Sequence, residues 1–181
     1  MGAAPVMADR LPALRRAAPV LLGVLLVQVG VMTGLPALGA VADLMLLVTL
    51  AAATVGGPDK GATYGFAAGL LYDLVLDTPF GMSALVYALV GYAIGLFGAW
   101  ALQPRWWFHV LAAIGGSVAS VILTVLVARM LGLPYPLDDV IRIAVVVATW
   151  NALLIVPTRR LLRWVIGDPD GAADRFRIAL P

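Results

Sequence analysis

Few side chains in this 181-residue sequence could do chemistry. There is one histidine, His109, with no cysteine and no glutamate; the serines are Ser83, Ser117 and Ser120, and all ten acidic residues are aspartates. Without cysteine there is no thiol nucleophile, disulfide framework or sulfur-ligated metal, and one histidine leaves little to build a metal or cofactor site, so none is expected. A serine–histidine hydrolase within a membrane needs its serine in a strained glycine turn, and none of the three serines has that setting. An aspartyl mechanism needs two carboxylates sharing a proton. Asp43 and Asp73 are the pair that could be brought together, but the G-x-G-D pattern of intramembrane aspartyl proteases is absent, as are the spaced aspartates of phosphatidyl transferases. The chain reads as a non-enzyme.

The remaining polar residues stand out because their surroundings are apolar. Asp73 follows Gly69 by four residues and shares its helix face. A carboxylate near hydrocarbon costs on the order of 2.5–3.5 kcal/mol, so Asp73 needs a partner or a purpose: an interfacial polar cluster or helix cap, or contact with a ligand or partner protein. Asp43 and Asp77, near span ends, read as caps or interfacial groups. Asn151, in the last apolar run, reads as a hydrogen bond to a neighbouring helix. Trp100, Trp106, Trp107 and Trp164 read as interfacial anchors, and His109 beside two of them as interfacial too.

Composition says what must position these groups. Hydrophobic residues make up 62% of the chain and charged residues 12%, against roughly 45–50% and 25% in soluble domains, and the mean hydropathy is +1.00. That excludes a water-soluble globule and predicts an all-α integral membrane protein. The sequence pI near 9.3 does not indicate nucleic acid, because the net charge is only +2 and the basic residues flank apolar runs. A span needs about 20 apolar residues. Six stretches fit or nearly fit, at 18–34, 38–56, 61–76, 79–102, 108–131 and 140–157, the third being the shortest. They predict a six-transmembrane-helix bundle over 18–166, between a cytoplasmic N-terminal segment (1–17) and a cytoplasmic tail (167–181). With both termini cytoplasmic, ten of the twelve lysines and arginines lie inside, and only Arg129 and Arg142 lie outside, which is the orientation the positive-inside rule selects. In the turn between spans three and four, Asp77 or Thr78 would cap and Pro79 would open the next helix. Gly61, Gly65 and Gly69, then Gly91 and Gly95, form stripes suited to close helix packing or to a partner helix.

The stretch from Gly65 to Gly95, GFAAGLLYDLVLDTPFGMSALVYALVGYAIG, resembles the MreD family of bacterial rod-shape proteins. That family shows a glycine-rich span ending in G-L-L-x-D, here Gly69, Leu70, Leu71 and Asp73, then a turn with P-x-G, here Pro79 and Gly81. Ala84 and Leu85 follow, and then Gly91, Tyr92 and Gly95. The last span, with Asn151, Ala152, Leu153, Leu154 and then Pro157 before basic residues, resembles the family's end. The resemblance implies a multi-pass protein of the bacterial inner membrane, a non-enzymatic member of the cell-elongation machinery. Its partners would be a bitopic MreC-like protein, RodA-type glycosyltransferases, penicillin-binding transpeptidases and the MreB filament. It also implies a fold similar to the S-components of energy-coupling-factor vitamin transporters, and a vitamin-binding S-component is the alternative reading, with Asp43, Asp73 and Arg129 around an outer site. Against that alternative, Tyr135, Asp138 and Asp139 are nearly all the outer loops offer, and pockets need several convergent polar groups. The expected mechanism is packing: the glycine faces of spans three and four admit a partner helix, Asp73 fixes the outer end, and Arg159, Arg160 and Arg163 sit on the anionic inner leaflet. On this view Gly69→Leu or Asp73→Leu loses the partner while the protein still inserts.

Overall fold

Within hydrocarbon every backbone N–H and C=O must be satisfied by the chain itself, and an α-helix does so segment by segment. The computed structural model describes residues 10–34, 42–76, 79–100, 106–133 and 139–166. Among these, all regular structure is helical: α1 (Arg10–Gly34), α2 (Leu44–Asp73), α3 (Met82–Trp100), α4 (Trp106–Met130) and α5 (Val140–Ile166). Three stretches are long and apolar enough to cross a bilayer, Met82–Trp100, Trp107–Met130 and Val140–Ile166, of 19, 24 and 27 residues, and Ala17–Gly30 is a shorter apolar helix. The chain is a membrane protein.

α2 is two helical arms, 44–56 and 58–73, that meet at Gly57. Gly57 has φ 77° and ψ −168°, a conformation open in practice only to glycine. Pro58 then opens the second arm, where its missing N–H costs nothing. A Cβ added to Gly61 would stand 2.8 Å from Ala53 Cβ, and one added to Gly65 would stand 2.9 Å from Thr49 Cγ2. In a straight helix those pairs would be about 12 and 24 Å apart, so the arms double back side by side. The first arm is apolar on every face and lies at the centre, with Met45, Leu46 and Leu50 fully buried. Against α2 pack α3, α5, α1 and α4, α3 most extensively.

The boundaries differ from the sequence reading in four places. α1 begins at Arg10, inside the segment read as a cytoplasmic lead-in (1–17), because Pro12 falls in its first turn, where proline is tolerated. The stretch read as a span over 61–76 is helical from Pro58, the extension through Lys60 that so short a run needs, but it ends at Asp73. α3 begins at Met82, not Pro79; Pro79 instead sits in the turn before it, accepting from the Met82 N–H at 3.1 Å. α5 runs through Pro157 to Ile166, and the Thr158 hydroxyl adds a 2.8 Å hydrogen bond to the Leu154 carbonyl just past the break. The expectations for residues 38–41, the caps Asp77 and Thr78, Arg105, Tyr135, Asp138 and the tail 167–181 lie outside the described residues.

Candidate functional site

The second arm of α2 and α3 run antiparallel at backbone contact. A Cβ on Gly65 would come within 2.5 Å of the Tyr87 carbonyl oxygen, and one on Gly95 within 2.5 Å of Pro58 Cα. Gly61 and Gly91 face each other, each closing on the other's carbonyl, and a Cβ on Gly69 would strike the Ser83–Ala84 backbone. Here any side chain larger than hydrogen would hold the helices apart. The glycine faces expected to receive a partner helix are therefore filled from within the chain, by each other. Gly69→Leu would disrupt the bundle itself before any partner surface.

Asp73 closes the same interface at its end. It is 4% exposed, and its carboxylate accepts from three backbone N–H groups at the start of α3: Gly81 at 2.9 Å, Ser83 at 3.0 Å and Ala84 at 3.3 Å. The first N–H groups of a helix have no partner within it, and an acid there also meets the positive end of the helix dipole. Asp73 thus caps α3 from another helix, the role read for Asp77 or Thr78. Gly81, at φ +96°, forms the turn that brings these N–H groups round, and Pro79 beside it is exposed.

Asp43 does the same for α2. One carboxylate oxygen accepts from the Leu46 N–H at 2.9 Å and the other from the Tyr87 hydroxyl. Gln28 of α1, buried to 1% exposure, accepts from the Leu44 N–H at 2.8 Å and shares a hydrogen bond with Tyr72, whose ring stacks on Tyr87 at 6.3 Å. Gln28, Tyr72 and Tyr87 were not singled out in the sequence. A glutamine within an apolar run was the one signal available for this cluster, since such a group needs a partner.

Midway along the bundle, Asn151 of α5 is fully buried and donates from Nδ2 to Ser117 Oγ of α4 at 2.9 Å, while its Oδ1 has no partner. Tyr92, by contrast, is 47% exposed on an outward stripe of α3 with Leu85, Leu89 and Leu96. At the opposite end from Asp43 and Asp73, where α4 begins, Arg160 and Arg163 are exposed but Arg159 is half-buried. His109, read as interfacial, is 5% exposed, because it lies on the packed face of α4 with Ala112, Ala113 and Gly116.

This arrangement holds helices together, with both carboxylates hydrogen-bonded within the chain. Among the described residues no three histidine, cysteine, aspartate or glutamate side chains come together as a metal set. A groove of about 400 Å³ between α1, the first arm of α2 and α5 is lined by Val20, Val24, Leu44, Leu47 and Leu161, with almost nothing polar. A polar vitamin would find no convergent groups there.

No curated protein and no solved structure matches the chain. The family model for rod shape-determining protein MreD matches residues 14–165, which takes in all five helices but the ends of α1 and α5. The chain therefore belongs to the MreD family and has its role in rod-shape determination.

Proposed function

We propose that this chain is a non-enzymatic scaffold of the cell-elongation machinery in the bacterial inner membrane, acting through packing alone. The observation that carries this reading is the use of Asp73: the one carboxylate in the glycine-rich core of the motif is spent on three N–H groups of α3. Its expected partners are a bitopic MreC-like protein, with RodA-type glycosyltransferases, penicillin-binding transpeptidases and the MreB filament as further members of the assembly. Gly65, Gly69, Gly91, Gly95, Gly81, Asp73 and Asn151 serve internal packing, while the exposed ring of Tyr92 and the stripe around it offer the surface for a partner helix. Pro79 serves the turn.

The proposed topology is six crossings with both termini cytoplasmic, a plan similar to the S-component fold. The reversal at Gly57 supports it, since it turns α2 into two passes. The sorting of charge supports the orientation: Lys60, Arg159, Arg160 and Arg163 fall at one end of the bundle, Arg129 and Arg142 at the other. The arginines of α5 then meet the anionic inner leaflet, at roughly 1 kcal/mol per basic residue. The test is affinity isolation of the tagged protein from its own membranes in mild detergent, with partners identified by mass spectrometry. Recovery of an MreC-like protein with wall-synthesis enzymes, reduced by Tyr92→Ala, is expected. Recovery of a transmembrane coupling subunit with two ATPases would overturn the proposal in favour of a vitamin S-component.

A further inference from the structure

We infer that His109 and Arg159, with Arg163 at the rim, form a binding site for the phosphodiester headgroup of an anionic phospholipid. Arg159 lies on the buried stripe of α5, four residues after Ile155 and three before Leu162, both fully buried. A guanidinium on such a stripe ordinarily brings a carboxylate with it. Among the described residues the charge beside it is of the same sign: Arg163 stands one turn on, where like charges repel, and His109 lies within electrostatic reach of both arginines. The one ion pair among the described residues, Arg142 with Asp139, is at the other end of the bundle.

Two polar nitrogens at this place have no partner among the described residues. The Nδ1 of His109 and the Nε of Arg159 are both buried without a hydrogen bond, and the His109 side chain is more than nine-tenths buried. Buried donors left unmatched cost about 1–3 kcal/mol each. His109 also lies in the first turn of α4, whose free N–H groups and dipole favour an anion. The site thus presents two unmatched nitrogens, a second guanidinium and a helix start, with no acid among the described residues to answer them. A phosphate oxygen accepting from Arg159 Nε and from His109 in the tautomer protonated at Nδ1 would match both, and Arg163 would cover the remaining charge. Because the site lies at the end of membrane-crossing helices, a lipid phosphate comes within reach without leaving the bilayer once the half-buried Arg159 side chain turns to meet it. That this end faces the cytoplasmic leaflet rests on the proposed topology; the site itself does not.

Native mass spectrometry of the full chain in detergent tests the inference, with phosphatidylglycerol, phosphatidylcholine and inorganic phosphate as probes. Retention of phosphatidylglycerol over both others is expected. Arg159→Gln and His109→Gln should each weaken it about tenfold, the size of one lost charge-assisted hydrogen bond. Lys60→Gln, at an exposed position at the same end of the bundle, should leave it within about twofold. Circular dichroism and size-exclusion profiles matching the parent confirm that the variants are folded, and detergent removes any dependence on sidedness. Equal weakening by all three variants would reduce the effect to diffuse charge and overturn the site. So would undiminished binding in Arg159→Gln and His109→Gln. Displacement of phosphatidylglycerol by inorganic phosphate at similar concentration would overturn the lipid assignment.

Discussion

Replacing Asp73 by asparagine keeps its shape and removes half its capacity to accept. In the native protein Oδ2 receives the Gly81 and Ala84 N–H groups and Oδ1 receives that of Ser83. An amide offers one oxygen, and its NH2 must then point at one or two backbone donors in a site that is 4% exposed. Each donor left unmatched costs about 1–3 kcal/mol, and losing the charge at the α3 start costs roughly another 0.3–1 kcal/mol. Asp73→Asn should therefore destabilise the fold by about 2–3 kcal/mol, with Asp73→Ala at least as costly. The comparison is Asp139→Asn, which breaks an ion pair with Arg142 whose side chains are about half exposed; such pairs contribute about 0–1 kcal/mol. Reversible unfolding in mixed micelles of dodecyl sulfate and mild detergent, followed by far-ultraviolet circular dichroism, gives both values on one scale. If Asp73→Asn falls within about 0.5 kcal/mol of Asp139→Asn, Asp73 does not hold α3 in place.

Three further perturbations follow from the same packing. Gly69→Ala and Gly91→Ala place a methyl group against backbone and should each cost about 1–3 kcal/mol in that assay, whereas Gly115→Ala meets open space and should be neutral or stabilising by up to about 1 kcal/mol. Gly57→Ala forces φ 77° and ψ −168° on a residue with a side chain and should cost about 1–3 kcal/mol, read the same way. Because the chain has no cysteine, Asp59→Cys and Asp139→Cys can be labelled singly with a membrane-impermeant maleimide in intact cells or spheroplasts. Asp139→Cys should label and Asp59→Cys should stay protected until the membrane is opened; the reverse pattern would invert the proposed orientation.

The helices were legible because apolar runs of this length have few other uses in a chain so poor in charge. The pairing of Gly69 with Asp73 on one face followed from their spacing alone. Their counterpart did not, because glycine stripes pack equally well against a neighbour in the chain or a partner outside it. The cap on α3 was sought in the nearest residues, Asp77 and Thr78, yet Asp73 supplies it from one turn earlier; the turn at Pro79 and Gly81 was legible, but not that it brings the α3 N–H groups back to Asp73. The burial of His109 was not read from its tryptophan neighbours, although its spacing to Ala112, Ala113 and Gly116 marks the packed face of α4. Arg159 likewise looked like one of three surface arginines, while the stripe through Asn151, Ile155 and Leu162 places it apart from Arg160.

The central claim, a scaffold that sets cell shape by packing, is tested most directly by depleting the protein in its own host and imaging the cells. Rods should widen and round up as it is lost, re-expression of the parent should restore them, and Tyr92→Ala, made and inserted normally, should restore them poorly. Cells that keep their rod shape through full depletion would contradict the account.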